Sequence, residues 1–171
     1  SRYVTNQEIF VCSSDAIVKT VTANCSMGAA QVVTVGRTVS IEGNVSLLSR
    51  PMIKSFGRNM GQHFRVEGSL NLKRLILSGG TAIPYHAEIF DDVEGNADTI
   101  PTANGGSIYV DRGATLTATE VDFVDNHART TGGAVAIGYG AKATFVSVTF
   151  SGNTAHGAWT YTNRLTVGGR A

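Results

Sequence analysis

The side chains best suited to chemistry are concentrated in one segment, residues 83–103. Its polar and aromatic residues include Tyr85, His86, Glu88, Asp91, Asp92 and Glu94. From Asp92 to Asp98 every second residue carries a side-chain oxygen, as do the ligands of a calcium-binding loop. Gly95 is out of place for the glycine of that loop, and no glutamate closes it. We therefore predict a solvated acidic surface that binds a partner, with no metal and no cofactor.

The other residues with catalytic side chains are scattered along the chain. The four histidines, His63, His86, His127 and His156, lie on different segments. The sequence contains no nucleophile elbow, phosphate-binding loop or zinc-ligand spacing. The net charge is +1, so the chain lacks the basic surface by which nucleic-acid-binding proteins are recognised. These features predict neither a metal centre nor a nucleic-acid partner.

An internal repeat indicates which elements position these residues. Gly-Gly, Gly-Ala, Val, Phe, Asn and Ala at fixed places in residues 105–128 recur in residues 132–155 at a constant offset of 27. A weaker copy lies upstream, where the apolar pattern of residues 70–82 matches that of residues 116–128 at an offset of 46. The additional length maps to residues 83–103, which we interpret as an insertion.

Apolar residues alternate within each copy, in short strands separated by Gly-rich or Asn-containing corners. Three such strands per 27 residues predict one coil of a three-sided solenoid, the right-handed parallel β-helix, and hence an all-β fold. Each coil buries its apolar face only against its neighbours. Because coils stack about 4.8 Å apart, Phe123 is expected to lie against Phe150.

The predicted corners have structural explanations. Their glycines are Gly105, Gly106, Gly132 and Gly133. Glycine supplies the positive φ that a sharp turn needs. Asn126 and Asn153 are expected to adopt the left-handed conformation and to pair their amides as a ladder between coils. We interpret these glycines and asparagines as structural residues and not as ligands.

These motifs resemble those of a known family. Residues 105–108 (Gly-Gly-Ser-Ile) and 132–135 (Gly-Gly-Ala-Val) resemble the Gly-Gly-Ala-Ile motif of the polymorphic outer-membrane protein repeats. Residues 123–126 and 150–153 match that family's Phe-x-x-Asn motif. The resemblance covers residues 105–155 and implies a β-helical passenger of an autotransporter-like surface protein. It therefore implies an extracellular or cell-surface location and an adhesive role.

A β-solenoid is compatible with two other functions. Parallel β-helices include polysaccharide lyases and hydrolases, and the hydrolases need paired carboxylates close together. Here Asp111, Glu120, Asp122 and Asp125 are followed one repeat later by Gly138, Ser147, Thr149 and Gly152. We therefore expect no enzyme, and a carbohydrate-active enzyme is the alternative. An ice-binding solenoid is the second alternative, but its threonine array is not maintained, because Lys142 follows Thr115 one repeat later.

The open ends of a solenoid need caps. Residues 14–21 have apolar residues at helical spacing with Ser14 or Asp15 as the N-cap, which predicts a short capping helix, with an outer strand as the competing interpretation. That helix would separate Cys12 from Cys25 by more than a disulfide spans, unless the flanking residues fold back. We therefore favour the helix over the bridge.

Together these features predict one domain. It comprises a cap over residues 1–30, coils over 31–82 and 104–157, the insertion over 83–103, and a C-terminal coil or cap over 158–171. Hydrophobic residues make up 42% of the chain, enough for a folded core, and no apolar run is long enough for a transmembrane helix. The sequons at Asn24 and Asn44 permit glycosylation if the chain is secreted. We expect a structural or adhesion module that binds a protein or glycan partner, alone or as a subunit of a larger complex.

Overall fold

The structure is a computed structural model that describes residues 3–4, 10–11, 14–15, 18–28, 30–56, 61–82 and 104–156. Within these ranges the chain forms strands and no helix. The strands are β1 Tyr3–Val4, β2 Phe10–Val11, β3 Ser14–Asp15, β4 Val18–Val21, β5 Cys25–Met27, β6 Ala30–Val33, β7 Thr38–Gly43, β8 Met52–Ser55, β9 Phe64–Val66, β10 Ser69–Ser78, β11 Thr81–Ala82, β12 Ile108–Val110, β13 Thr115–Val124, β14 His127–Ala128, β15 Val135–Ile137, β16 Lys142–Val146, β17 Thr149–Ser151 and β18 Thr154–Ala155.

The described strands form three parallel sheets and a separate two-stranded sheet, β2-β3. Sheet I has the order β1-β6-β9-β12-β15, and sheet III has the order β11-β14-β18. Sheet II has the order β16-β13-β10-β7-β4, with β5, β8 and β17 pairing in its second half. Of the described pairs, only β2–β3 is antiparallel. From β9 to β18 the chain passes through sheets I, II and III in that order three times.

The strand registers agree with the offsets expected from the sequence. Leu70 lies opposite Leu116, an offset of 46, and Leu116 lies opposite Ala143, an offset of 27. Sheet III has the same two offsets, because Ala82 pairs with Ala128 and Ala128 with Ala155. The pairing on either side of residues 83–103 is therefore continuous.

The apolar core lies between the sheets and follows the alternation of β10 and β13. Its largest fully buried side chains are Ile41, Ile53, Phe64, Leu70, Leu72, Leu75, Leu77, Ile108, Leu116 and Phe123. Inside β10 the alternation changes phase, because Lys73 and Arg74 both point outward between buried Leu72 and Leu75. Arg74 has φ 54°, which rotates the strand so that both of its halves bury their apolar residues.

This left-handed bend recurs in register. Glu120 (φ 54°) lies 46 residues after Arg74, and Ser147 (φ 53°) lies 27 residues further on. Each such residue costs roughly 1–2 kcal/mol of backbone strain, so the packing on both halves of the strand must exceed that cost. The bend was not expected from the sequence, because no glycine or asparagine marks it.

The corner glycines have two different roles. Gly105 (φ 69°) and Gly132 (φ 63°) take the positive φ expected of them. Gly106 and Gly133 do not, and here the close approach of backbone excludes a side chain. A Cβ on Gly106 would lie 2.1 Å from the carbonyl oxygen of Gly133. A Cβ on Gly105 would likewise lie 2.0 Å from the carbonyl oxygen of Ile108, so close approach excludes a side chain at both positions, and positive φ is a second reason at Gly105 and Gly132.

The expected left-handed conformation of Asn126 and Asn153 is wrong. It lies one residue earlier, at Asp125 (φ 52°) and Gly152 (φ 65°). The amide ladder itself is present, since Nδ2 of Asn126 donates to Oδ1 of Asn153 at 2.9 Å. The backbone N–H of Gly80 donates to Oδ1 of Asn126 at 2.9 Å. The asparagine side chains thus connect neighbouring strands directly, and the preceding residue makes the turn.

The phenylalanine stack also follows the offset of 27. The rings of Phe123 and Phe150 have centroids 5.1 Å apart and planes inclined by 8°. Phe123 is fully buried, with Leu77 opposite it on the other side, whereas Phe150 is 51% exposed. The two members of the stack therefore differ in how completely they are enclosed.

The predicted N-terminal capping helix is wrong. Residues 14–21 contain β3 and β4, and β4 pairs with β7 from Val18 opposite Ser40 to Val21 opposite Gly43. Valine and threonine favour a paired extended strand over a short isolated helix, which is the physical reason for the difference. Cys25 is in a disulfide bond, and Cys12, the other cysteine of the chain, lies outside the described residues. The described residues include no helix long and apolar enough to cross a bilayer.

Candidate interaction site at the base of the insertion

The residues predicted to bind a partner, Tyr85, His86, Glu88, Asp91, Asp92 and Glu94, lie outside the described residues. The structure describes the two residues between which the insertion lies, Ala82 and Asn104, and the elements that hold them. The described part of the candidate site is therefore its base.

Both ends of the insertion are held by one short segment, residues 129–131. The backbone N–H of Arg129 donates to the carbonyl oxygen of Ala82 at 3.1 Å, and that of Gly105 donates to the carbonyl of Thr131 at 2.9 Å. The Thr131 hydroxyl donates to Oδ1 of Asn104 at 2.8 Å, and the Thr130 hydroxyl donates to the same oxygen. The insertion therefore leaves and re-enters the sheets at one place.

A buried polar cluster lies beneath the returning end. Nε2 of Gln62, which is 1% exposed, donates to the carbonyl oxygens of Asn104 at 2.7 Å and Gly105 at 2.8 Å. The Ser55 hydroxyl donates to the carbonyl of Gly61. The backbone N–H of Gly61 donates to the Thr81 hydroxyl at 3.2 Å. These bonds satisfy buried backbone groups of Asn104, Gly105 and Gly61 that would otherwise have no partners.

His63 follows Gln62 in the chain and has no exposed surface. Its Nε2 lies 3.0 Å from the carbonyl oxygen of Ile53 and therefore carries the proton, so Nδ1 accepts from the Ser107 hydroxyl at 2.9 Å. Burial lowers the pKa of His63 to about 4, and the hydrogen bonds to the backbone of Ile53 and Ser78 oppose that shift only in part. The imidazole is therefore neutral at pH 7.

The Ser107–His63 pair has the geometry of a nucleophile and its base. Both residues are completely buried, however, and the second ring nitrogen of His63 donates to a carbonyl and not to a carboxylate. No substrate could reach this hydroxyl without opening the sheets. In this state the pair fastens β9 to the turn before β12.

A shallow groove of about 510 Å³ lies beside Asn104. Its walls include Tyr109, Ile137 and Tyr139, and Tyr139 is 85% exposed. The guanidinium of Arg112 lies 5.5 Å from the centroid of the Tyr139 ring. An exposed aromatic ring such as that of Tyr139 is typical of interaction surfaces, and this groove adjoins the returning end of the insertion.

Three outward carboxylates that bear on the enzyme alternative are paired with arginines. Asp111 lies 2.8 Å from Arg65, Glu120 lies 3.4 Å from Arg74, and Asp122 lies 2.8 Å from Arg50. The first two pairs join neighbouring strands of a sheet or the turn beside them, whereas Arg50, which precedes β8, reaches across β10 to Asp122 in β13. Within the ranges that the structure describes, no three His, Cys, Asp or Glu residues are grouped so as to hold a metal ion.

Sheet III carries a histidine pair. The rings of His127 and His156 have centroids 4.6 Å apart in an edge-to-face arrangement, and Nδ1 of His127 lies 2.6 Å from the Thr154 hydroxyl. Burial lowers the pKa of His127, and the charge of His156 lowers it further. The repeat aligns His127 with Thr154, and the contact with His156 was not expected.

Gln62, His63 and Asn104 were not predicted from the sequence as residues of the site. One signal was present: Ser107 occupies an inward position at which the next repeat has Ala134. A polar residue at a buried position requires a hydrogen-bond partner. That partner is His63, which directly precedes β9.

Comparison of the chain with known proteins found no matching family model, no matching curated protein and no matching solved structure.

Proposed function

We propose that this chain is a non-enzymatic adhesion module, secreted or displayed at a cell surface. In this proposal a right-handed parallel β-helix is the scaffold and residues 83–103 are the surface that binds a protein or glycan partner. The chain acts alone or as a subunit of a larger assembly.

Two features support the β-helix. The chain passes through sheets I, II and III in a fixed order, and neighbouring strands stay in register over a 27-residue period. Left-handed residues recur at equivalent bends and corners, as Glu120 and Ser147 do, and as Gly105 and Gly132 do. A period of this length with parallel pairing is typical of stacked supersecondary units.

Two further features support the extracellular assignment. The Gly-Gly and Phe-x-x-Asn motifs, on which the resemblance to polymorphic outer-membrane protein repeats rests, have defined packing roles at Gly106 and Asn126. Cys25 is in a disulfide bond, and disulfides persist mainly in oxidising compartments outside the cytosol.

The main support for the proposed function is the arrangement at the base of the insertion. Ala82 and Asn104 are both held by residues 129–131, and the strand register is continuous across the interruption. The insertion is therefore unnecessary for connecting the strands. Long segments of this kind, on a regular scaffold, are where binding residues concentrate.

Deleting residues 84–102 tests this proposal. The offsets of 46 and 27 differ by 19 residues, which is the length of that segment. Ile83 and Ala103 then remain as a two-residue connection, like Arg129 and Thr130 in the next repeat. A matched variant replaces residues 84–102 with a Gly/Ser linker of equal length.

Labelled chains are applied to an array of defined glycans and to immobilised collagen and fibronectin. We expect the unchanged chain to bind in at least one panel, and both variants to fold and to lose that binding. Binding retained by either folded variant, or no binding by the unchanged chain in any panel, would count against the proposal.

A further inference from the structure

We propose that Asn44 is an N-glycosylation site and that Asn24, in the other sequon of the chain, is not. The proposal rests on the secretion of the chain in the proposed function and goes beyond it by assigning a modification. The two sequons, Asn24-Cys25-Ser26 and Asn44-Val45-Ser46, are equivalent as motifs. The structure places them in different environments.

Asn44 begins an exposed turn between β7 and β8. Its backbone N–H donates to the carbonyl of Val21 at 2.9 Å, and Leu47 N–H donates back to the Asn44 carbonyl at 3.2 Å. In the side chain, Oδ1 accepts from the N–H of Ser46 at 2.9 Å. The amide nitrogen, which is the atom that is modified, has no hydrogen-bond partner among the described residues. The sequon is therefore held in place and presented to solvent.

The same turn exposes apolar side chains that nothing in the described structure covers. Val45 is 66% exposed and Leu48 is completely exposed. Removing such apolar surface from water is favourable, and the inner sugars of a glycan have apolar ring faces that could lie over these side chains. A sugar attached to Asn44 therefore gives this exposed surface a partner.

Asn24 is bound differently. Its Oδ1 accepts from the backbone N–H of Met52 at 2.8 Å. The next two residues lie in β5, which pairs with β8 from Cys25 opposite Ile53 to Met27 opposite Ser55. Cys25 is in addition in a disulfide bond. Two of the three residues of the Asn24 sequon are thus fixed in a paired strand, where a transferase could not bind the sequon in a turn.

The position of Asn44 is compatible with partner binding. Its turn follows Gly43, the last residue of β7. Gly43 lies beside Arg74, the bend residue of the neighbouring strand β10 in sheet II. The insertion instead connects sheet III to sheet I, between Ala82 and Asn104. A glycan at Asn44 therefore lies on a different connection from the proposed binding surface.

Transfer of a glycan to Asn44 needs one co-substrate, an oligosaccharide linked to a lipid by pyrophosphate. The bond between the sugar C1 and the pyrophosphate oxygen breaks, and the oxygen keeps the electron pair. A bond forms between C1 and Nδ2 of Asn44, which loses one proton. The asparagine becomes a β-linked glycosyl amide, and no oxidant or reductant takes part.

The test expresses the full chain behind a secretory signal in cultured animal cells. Peptide mapping after enzymatic release of glycans in ¹⁸O water marks each occupied asparagine. We expect a glycan at Asn44 and none at Asn24. The glycan should be lost in Asn44→Gln and in Ser46→Ala, which keeps the asparagine but removes the sequon. Asn24→Gln is the matched control and should leave the glycan unchanged.

A secreted chain with Asn44 unoccupied, or with Asn24 as the main site, would overturn the inference. Because the signal is supplied, this result is independent of where the native protein resides. The proposed adhesion function fails separately, if the deglycosylated chain and the intact chain both bind none of the glycans, collagen or fibronectin. Cys12→Ser removes the only possible intramolecular partner of Cys25, and should raise the occupancy of Asn24 if the folded strand is what protects it.

Discussion

Two successive steps through the three sheets, from β10 to β13 and from β13 to β16 and β17, join strands in the same way but use very different lengths of chain. From β10 to β13 the offset is 46 residues, and from β13 to β16 and β17 it is 27. Equivalent side chains still face each other in both steps, as Leu77 faces Phe123 and Phe123 faces Phe150. The strand side chains, and not the length of the connection, therefore determine the register.

The two steps differ in burial. β13 has partners on both sides and its inward residues are fully buried, whereas Phe145, Val146 and Phe150 beyond it are exposed by 38%, 49% and 51%. Transfer of apolar surface from water scales with the area removed. The step that spans the insertion should therefore contribute more stability than the step that does not.

Phe123→Ala should produce the largest loss. The ring is fully buried between Leu77 and Phe150, so its removal leaves a cavity and should cost roughly 3–5 kcal/mol of unfolding free energy. Phe150→Ala should cost only about 0.5–1.5 kcal/mol, the typical value of an aromatic pair, because its ring is half exposed. Urea unfolding of the two single variants measures both values.

The double variant sharpens this comparison. Since the rings are 5.1 Å apart, the two losses should fail to add by roughly 0.5 kcal/mol or more. Additive losses, or equal losses in the two single variants, would mean that the steps on either side of β13 are energetically alike.

Acid should weaken the insertion-bearing step through His63. The unfolded histidine binds a proton below about pH 6.5 and the folded one only below about pH 4, so the unfolded state holds more protons between these values. The contribution of His63 to the free energy of unfolding is therefore complete above pH 6.5, and the free energy of unfolding falls by about 3 kcal/mol as the pH drops to 4.

His63→Gln is the matched control, because glutamine keeps a donor and an acceptor but does not titrate. Urea unfolding at pH 7 and pH 4.5 should show a smaller acid loss in the variant than in the unchanged chain. An identical acid loss in the two chains would remove His63 from this account.

Asn126→Ala should also be clearly destabilising. Its fully buried amide donates to the carbonyl of Leu77 at 3.1 Å and accepts from Gly80, so truncation leaves both groups without partners. Each unsatisfied buried group costs roughly 1–3 kcal/mol. Asn153→Ala should cost less, because Asn153 is only partly buried and bonds one side of the ladder. Equal losses in denaturant unfolding would contradict this order.

The sequence predicted the registers well from residue 69 onwards, because the same apolar positions recur there. Upstream the offset from β4 to β7 is 22 and that from β7 to β10 is 31, so no constant period was visible. Without a visible partner strand, the valines of residues 14–21 were assigned to a helix. The partner strand that makes β4 extended could be identified only in three dimensions.

The base of the insertion could be predicted only in part. Its position followed from the change of offset, but His63 and Ser107 are 44 residues apart and neither recurs in the repeat. The bends at Arg74, Glu120 and Ser147 were missed for a related reason. Packing on both sides imposes the left-handed conformation there, and no local residue preference indicates it.

The central claim is that pairing between β10 and β13 does not depend on the insertion. It predicts the smallest effect of all, an unchanged rate of amide exchange in these two strands. The measurement is hydrogen–deuterium exchange in peptides spanning residues 69–82 and 115–128, in the unchanged chain and in the variant lacking residues 84–102. We expect the same slow exchange in both chains, because strand pairing and burial set amide protection. Rapid exchange of these peptides in the variant would contradict the claim, and would show that the insertion holds the two strands together.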